Sequence, residues 1–285
     1  MPKVAILMAA FNGEKWIGKQ LESILSQKDV IVDIFVSLDI SSDKTLDILK
    51  SFKSNNNNNL FILPYGERFG CAAKNFFRLI KEINVKDYDF VAFSDQDDLW
   101  LPRKLSKGIE LIKSSKSDAY SSDVMAFWQN GKKKLIKKSY PQKEYDFMFE
   151  SAGPGFTYIF SIKPFIDFQE FVKNNWNEIY ELEHDWLAYS FFRSKGNKWL
   201  IDNNSNVLYR QHENNQYGAN VSILTFIHRL KLITSGWYAY QVKSISNILE
   251  LPQVTIKFIL INFMQTRRKK IHAISMLVFC LFFKK

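Results

Sequence analysis

The sequence has few cysteines, which excludes two common ways of stabilising or equipping a protein. Its 285 residues include only Cys71 and Cys280, far apart in the chain. Neither a disulfide framework nor a cysteine-based metal site is therefore predicted. Free cysteines suit a reducing compartment, and the N-terminus shows no signal-peptide pattern because it enters a strand pattern at once. We predict a cytoplasmic protein.

The chain also lacks an apolar run long enough for an ordinary membrane-spanning helix. The apolar core of its last segment, residues 273–283, is shorter than the ~20 residues that such a helix needs. The basic run Arg267–Lys270 precedes it. Apolar helices flanked by Lys and Arg suit an anionic membrane surface. We predict peripheral contact with the cytoplasmic face of the inner membrane, with packing on the domain or in a dimer as the alternative.

Acidic residues are too few to balance the basic ones, and the net charge is +10. Part of this charge is clustered in Lys132–Lys134 and Lys137–Lys138. Basic patches can bind nucleic acid. No nucleic-acid-binding motif accompanies these patches, so a nucleic-acid partner is not predicted.

Strand and helix patterns alternate through the first hundred residues. Short apolar runs typical of strands occupy residues 3–9, 32–39, 60–63 and 89–93. Helical patterns lie between them, at residues 16–25, 44–53 and 72–81. This alternation predicts an α/β fold with a mostly parallel, doubly wound sheet. Ligands bind at the carboxyl ends of such strands, where Asn12, Asp39 and Asp95–Asp98 stand.

The most informative motif, SDQDDLW at Ser94–Trp100, follows the fourth strand pattern. Three carboxylates in four residues repel one another, and a buried arrangement needs a cation to offset their charge. Oxygen ligands suit Mg²⁺ or Mn²⁺, which keep positions open for phosphate oxygens. The motif predicts a metal–diphosphate site at the mouth of the sheet. The alternative is that Asp97 or Asp98 only caps a helix that starts near Pro102.

Five blocks of the sequence together resemble the family-2 glycosyltransferases with the GT-A fold. Three of them follow strand patterns, at Ala9–Asn12, Ser37–Thr45 and Ser94–Trp100. Glu183–Trp186 is similar to the family's catalytic-acid segment, and Tyr209–Asn215 is similar to its closing loop. The blocks keep the family's order and look most like bacterial rhamnosyltransferases of surface-polysaccharide assembly. The resemblance implies a GT-A domain at 1–220 and a helical, basic and apolar C-terminal extension at 221–285.

The same resemblance implies a nucleotide-diphospho-sugar donor, carried on dTDP or UDP. Asn12, Asp39, Asp95 and Arg210 would bind it, and the carboxylate of Asp39 suits the N–H of uracil or thymine. Asp97 and His212 would ligate the metal, with contact to the diphosphate as the alternative for His212. An Arg such as Arg210 has a planar fork that suits phosphate.

The resemblance also implies a general base and three residues beside the acceptor. Asp185 would be the general base, with Glu183 as the alternative base and simple complementation of a helix dipole as the other interpretation. One base opposite the leaving group implies a single displacement with inversion. Gly153, Gly155 and Trp186 would lie beside the acceptor, although the two glycines also fit a plain tight turn.

The sequence therefore predicts an inverting, metal-dependent glycosyltransferase. Its donor sugar would be L-rhamnose, and its acceptor a hydroxyl of a lipid-linked sugar or polysaccharide. A UDP-hexose or UDP-hexosamine transferase of the same family is one alternative, and a non-catalytic membrane-surface protein with this fold is another. A nucleotidyltransferase would bring a Gly-rich, basic phosphate loop near the N-terminus, where this chain has Ala9–Glu14.

Overall fold

The structure is a computed structural model that describes residues 1–55, 58–212 and 234–280. Its strands are β1 (Lys3–Ala10), β2 (Ile31–Leu38), β3 (Leu60–Ile62), β4 (Phe90–Ser94), β5 (Leu99–Trp100), β6 (Ala119–Ser122), β7 (Val124–Phe127), β8 (Lys133–Ile136), β9 (Ile159–Ser161), β10 (Trp199–Asp202) and β11 (Val207–Arg210). Its helices are α1 (Ile17–Leu25), α2 (Thr45–Ser54), α3 (Ala72–Glu82), α4 (Lys104–Ser115), α5 (Asp146–Phe149), α6 (Ile162–Asn174), α7 (Trp176–Ile179), α8 (His184–Ser194), α9 (Trp237–Ile248), α10 (Ile256–Asn262) and α11 (Lys270–Phe279). Short 3₁₀ turns lie at Gly155–Thr157 and Phe263–Gln265.

A seven-stranded sheet, in the order β10-β6-β9-β4-β1-β2-β3, forms the centre of the fold. Its pairs are parallel except those of β9, which runs antiparallel to both β4 and β6. The predicted mostly parallel α/β sheet is thus confirmed. Because β1 lies between β2 and β4, the loops that follow these three strands meet at one edge.

Helices cover both faces of this sheet, as the near-continuous apolar character of its strands requires. Alternate side chains of β1 point to opposite faces. Ala5 and Leu7 join one core, which includes side chains of α3, α6 and α8. Ile6 and Met8 join the other core, with side chains of α1, α2 and α4.

A second sheet, in the order β5-β11-β7-β8, was not anticipated from the sequence. The two residues of β5 are the last two of the acidic motif and pair antiparallel with β11 at Val207 and Leu208. This pairing returns the chain to the acidic motif more than a hundred residues later. The residues after β11 are therefore held at the carboxyl end of β4.

The described part of the C-terminal region is helical and packs on the rest of the chain. The Tyr238 hydroxyl in α9 donates to the Phe149 carbonyl at 2.7 Å. The Thr255 hydroxyl caps α10 by accepting the Phe258 backbone N–H. Among the described residues, no helix combines the length and apolar character needed to cross a bilayer. The predicted division at residue 220 lies outside the described residues and stays a prediction.

Candidate functional site

Three aspartates crowd together where β4 ends. One carboxylate oxygen from each of Asp95, Asp97 and Asp98 lies within 4.8 Å of the others. Burial, with the charges of Asp97 and Asp185, raises the pKa of Asp95 to about 8. Burial also raises the pKa of Asp98 well above its usual range. Asp98 is 1% exposed, and its Oδ2 has no hydrogen-bond partner among the described residues.

The end of β11 closes over this acidic cluster. His212 Nε2 lies 2.8 Å from Asp97 Oδ2, and the His212 ring stacks on Trp16 with 5.7 Å between centroids. Arg210 donates its backbone N–H to Asp98 Oδ1 at 3.2 Å and its Nε–H to the Asp97 carbonyl at 3.0 Å. Residues at the end of β11, in the second sheet, thus hold both the side chain and the main chain of Asp97 in place.

The donor atoms of this cluster fit a divalent cation. Carboxylate oxygens are the ligands that Mg²⁺ prefers, and Mn²⁺ also accepts an imidazole nitrogen such as that of His212. Burial is the main cause of the raised pKa of Asp95, and repulsion from the neighbouring Asp97 carboxylate adds to it. A bound divalent ion would remove that repulsion and satisfy Asp98 Oδ2.

Gln96 joins the acidic motif to the loop after β1, a role that the sequence analysis missed. Its Oε1 accepts the Phe11 N–H at 2.9 Å, and its Nε2 donates to the Phe11 carbonyl at 2.6 Å. The amide lies so close to Gly13 that a Cβ there would stand 2.2 Å from Oε1. The only sequence signals are a glutamine between aspartates and a glycine in the facing loop.

Asn12 holds the loops after β1 and β2 together. Its backbone N–H donates to Ser41 Oγ at 3.0 Å, and its Oδ1 accepts the Ser42 N–H at 2.8 Å. Asn12 has a φ of 46°, a conformation in which Asn is tolerated better than most residues. A groove of about 250 Å³ opens beside this junction and is lined by Phe11, Asn12, Ile40, Ser41, Ser42 and Arg68.

Asp39 lies at the end of β2 and is 4% exposed. Its Oδ1 accepts the backbone N–H groups of Ile40 and Phe69, at 2.8 and 3.0 Å. Its Oδ2 accepts the Gly70 N–H at 2.8 Å. A carboxylate oxygen accepts two hydrogen bonds, so one acceptor position is left on Oδ2 by these contacts.

Asp185 lies in the first turn of α8, facing the acidic cluster closely enough that its charge raises the pKa of Asp95. Burial raises the pKa of Asp185 itself to about 6, against the opposing effects of the Trp186 N–H and Lys138. A partly buried carboxylate that titrates near neutral pH can accept a proton from a hydroxyl.

His184 is a core residue beside Asp185. It stacks on Phe76 with 4.0 Å between ring centroids, and burial lowers its pKa to about 3. The ring is therefore neutral at physiological pH. Both ring nitrogens lack hydrogen-bond partners within the described ranges.

The two glycines predicted for the acceptor side differ in what they require. A Cβ on Gly155 would stand 2.8 Å from His184 Nε2 and 3.2 Å from Asp185 Cβ, so this turn packs directly on the start of α8. Gly153 has a φ of 136°, which strains any other residue. Gly155 thus packs directly against Asp185, and Gly153 lies in the same turn.

Trp186 does not reach the site, and its predicted place beside the acceptor is corrected. The side chain is 5% exposed, and its indole N–H donates to the Phe147 carbonyl at 3.0 Å. Its ring stacks on Tyr238. It has no open face for a sugar, because an apolar ring one residue after Asp185 on a helix turns into the core.

The structure brings most of the other predicted residues to one edge of the sheet. Asp95, Asp97, Arg210 and His212 form one cluster, and Asp185 with its glycine turn faces it. Asn12 and Asp39 occupy the adjoining strand ends, where the Asp39 N–H donates to the Ala10 carbonyl at 2.9 Å. Asn214 and Asn215, predicted for a closing loop, lie outside the described residues.

Comparison with known proteins identifies the family. Residues 5–169 match the profile of the family described as glycosyl transferase family 2. The chain is 44% identical over 243 residues to the dTDP-rhamnosyl transferase RfbG of Shigella flexneri, an alignment that covers 85% of this chain and 84% of RfbG. It is 31% identical over 120 residues to the UDP-Glc:alpha-D-GlcNAc-diphosphoundecaprenol beta-1,3-glucosyltransferase WfaP of Escherichia coli, covering 41% and 43% of the two chains.

A solved structure shares the fold. Residues 1–349 of S. aureus TarS, in complex with UDP-GlcNAc, superpose with a TM-score of 0.59 at 16% identity, covering 98% of this chain and 71% of that one. That structural likeness supports the GT-A architecture, and the sequence matches support the enzyme class. The chain belongs to glycosyl transferase family 2 and is a glycosyltransferase with a GT-A fold.

Proposed function

We propose that this glycosyltransferase moves L-rhamnose from dTDP-L-rhamnose to a hydroxyl of a lipid-linked sugar or polysaccharide, with inversion at the anomeric carbon. The observation that carries the proposal is the cluster of Asp95, Asp97 and Asp98 at the end of β4, with Asp185 close enough for its charge to act on Asp95. The choice of sugar and nucleotide is supported by the likeness to RfbG, which is named a dTDP-rhamnosyl transferase.

The acidic cluster would stabilise the departing nucleoside diphosphate. Asp97 and His212 would hold a divalent Mg²⁺ or Mn²⁺ ion, and Asp95 would bind the ribose. When bound, the ion neutralises the negative charge of the departing diphosphate. The contacts of Arg210 keep Asp97 in place and put a cationic side chain close to the same charge.

Asp185 would activate the acceptor hydroxyl as the general base. Its carboxylate would take the proton of the acceptor hydroxyl as the acceptor oxygen bonds to the anomeric carbon and the bond to the diphosphate oxygen breaks. A positioned base of this kind contributes about 10²–10⁴-fold to the rate. Burial, which raises the pKa of Asp185 to about 6, makes it a stronger base than an exposed aspartate while leaving it mostly ionised at neutral pH.

The nucleotide would bind at the ends of β1 and β2. The groove of about 250 Å³ beside Asn12 lies there, and Asp39 Oδ2 has an acceptor position that suits the N3–H of thymine. Uracil presents the same N–H, so a UDP-hexose or UDP-hexosamine donor is the second candidate. TarS was solved with UDP-GlcNAc, which favours testing that donor class.

The acceptor would be a lipid-linked sugar, and the enzyme would work at the membrane surface. A lipid-linked acceptor is supported by the name of WfaP, whose acceptor is a diphosphoundecaprenol-linked sugar. We assign residues 1–220 to the catalytic domain and residues 221–285 to an extension that keeps the enzyme at the cytoplasmic face of the inner membrane. A non-catalytic membrane-surface protein would keep the extension and lose the turnover.

A donor screen tests the proposal. The purified chain is incubated with Mn²⁺ or Mg²⁺, a lipid-linked glycan acceptor and a panel of dTDP- and UDP-sugars, and release of nucleoside diphosphate is measured. We expect release to be fastest from dTDP-L-rhamnose and to stop when EDTA is added. The anomeric configuration of the product, measured by NMR, reports inversion.

Three variants connect this activity to the site. Asp97→Asn should abolish turnover and its dependence on metal, because it removes one carboxylate charge from the cation site. Asp185→Asn should lower turnover by about 10²-fold or more while donor binding is kept. Asp167→Asn, at an exposed position of α6, is the matched control and should leave turnover unchanged. Full turnover in Asp97→Asn would overturn the proposed chemistry.

A further inference from the structure

The C-terminal helix α10 has an apolar outer face. Leu260 and Ile261 of α10, and Met264 of the 3₁₀ turn that follows it, are spaced so that they share one side, and Ile261 is 68% exposed. A surface helix normally turns polar residues outward, so this stripe is the reverse of the usual pattern. None of these three side chains belongs to the hydrophobic cores of the described chain.

The next helix, α11, repeats the arrangement. Its inner side chains Ala273, Met276 and Phe279 are buried. Its outer stripe is also apolar, with Ile271, Ile274 and Val278 at 59%, 50% and 60% exposure. The helix is thus apolar nearly all round although only one side is covered by described residues. The two outer stripes form the surface that we call the C-terminal apolar face.

The charges carried by the C-terminal segment itself have one sign. Residues 251–285 contain seven Lys or Arg and no Asp or Glu. Lys257 on α10 and Lys269 and Lys270 at the start of α11 are exposed. Exposed apolar side chains bordered by lysines are complementary to a bilayer whose headgroups are anionic.

Arg268, between α10 and α11, connects the C-terminal apolar face to the turn beside Asp185. Arg268 pairs with the buried Asp146 at 3.2 Å and donates to the Ser151 carbonyl at 2.6 Å. The chain runs from Ser151 directly to the Gly153 and Gly155 turn that packs against Asp185. Arg268 is 5% exposed and is used in this internal contact, in contrast to the exposed lysines.

We propose that the C-terminal apolar face docks on an anionic phospholipid bilayer and thereby fixes the acceptor side of the active site at the membrane surface. The inference rests on the proposed function in that a lipid-linked acceptor would be presented there. Leu260, Ile261, Met264, Ile271, Ile274 and Val278 enter the interface between headgroups and acyl chains. Lys257, Lys269 and Lys270 bind the headgroups.

Vesicle sedimentation of the full chain tests the docking without using activity. Vesicles of phosphatidylglycerol mixed with phosphatidylcholine are compared with vesicles of phosphatidylcholine alone. The double variant Ile261→Glu/Val278→Glu should lower the partition coefficient at least about tenfold, because each carboxylate is repelled by the headgroups and opposes burial. Ile31→Glu, at a position 45% exposed on β2, is the matched control and should bind like the parent.

A second variant separates the charge from the apolar contact. Lys257→Gln/Lys269→Gln/Lys270→Gln should reduce binding to the anionic vesicles to the level seen with phosphatidylcholine alone. Equal binding of the parent and the double glutamate variant would overturn the inference. So would a lipid-free dimer of the parent, measured by light scattering, that the double glutamate variant converts to a monomer, since the face would then join two copies of the chain.

Turnover of the donor with a soluble acceptor distinguishes this inference from the proposed function. The double glutamate variant should keep that turnover, because neither substituted residue lies in the catalytic site. If the parent binds vesicles but turns over no donor, the proposed function fails and the docking inference stands. If turnover is normal but vesicle binding is absent, the docking inference and the proposed membrane location fail, and the proposed sugar transfer stands.

Discussion

Gly155→Ala tests the contact between the glycine turn and the helix that carries Asp185. The added Cβ would stand 2.8 Å from His184 Nε2 and 3.2 Å from Asp185 Cβ. The His184 ring has little room to retreat, because it stacks on Phe76 with 4.0 Å between centroids. Either the turn or the start of α8 must therefore move by about half an ångström in a close-packed region.

The expected cost follows from this geometry. Overpacking of a filled site destabilises a protein by about 1–3 kcal/mol. Gly155 is not among the residues with positive φ, so no backbone strain adds to that cost. A small displacement of Asp185 from the acceptor hydroxyl should lower kcat by about tenfold to hundredfold, because catalysis depends steeply on the position of the base.

Urea unfolding measures the loss of stability, and release of nucleoside diphosphate measures kcat. Gly18→Ala is the control, because its Cβ would stand 3.5 Å from Phe52 Cε2, an ordinary contact within a helix. That variant should be as stable as the parent or more stable by about 0.5–1 kcal/mol, with unchanged kcat. An unchanged kcat in Gly155→Ala, with Gly18→Ala behaving as expected, would refute the placement of the catalytic base at Asp185.

Three other predictions concern residues around the site. Since burial raises the pKa of Asp185 to about 6 and the base must be ionised, turnover should fall as pH is lowered through about 6, and a flat profile from pH 5 to 7 would contradict this role. Gln96→Ala removes both hydrogen bonds to Phe11, so it should lower the free energy of unfolding in urea by about 1 kcal/mol and weaken donor binding. Unchanged donor affinity would show that these hydrogen bonds do not support the nucleotide site. Arg268→Met leaves the buried Asp146 with one cation fewer and should cost about 3 kcal/mol, and a loss below about 1 kcal/mol would show that Arg193 alone suffices.

The sequence was sufficient to predict the central architecture because the signals were local and repeated. The apolar run at the start of the chain became β1, which is buried on both faces and therefore shows no polar alternation. The acidic motif followed a strand pattern, and the structure places it directly after β4. Parallel strands end at the same edge of a sheet, so placing Asn12, Asp39 and Asp97 at one edge needed only the strand assignments.

The prediction for Trp186 failed because the direction of a helical side chain depends on tertiary packing. Its position beside Asp185 in the sequence suggested a shared site, but one residue along a helix turns the side chain by about 100°. The ring then packs on Tyr238, a residue of α9 that is more than fifty positions away. Gln96 was missed for a related reason, since its two partners are backbone groups of a distant loop.

The sequence by itself determined the family, the alternation of strands and helices in the first hundred residues and the residue types able to hold a cation and a diphosphate, because these depend on local pattern and chemical type. Only the tertiary structure decided that β5 and β11 pair and bring His212 to Asp97, that Gly155 packs on Asp185, and that Arg268 connects the C-terminal helices to this turn. Such contacts join residues far apart in the chain. Their partners are selected by packing of the whole domain, and no short stretch of sequence contains that information.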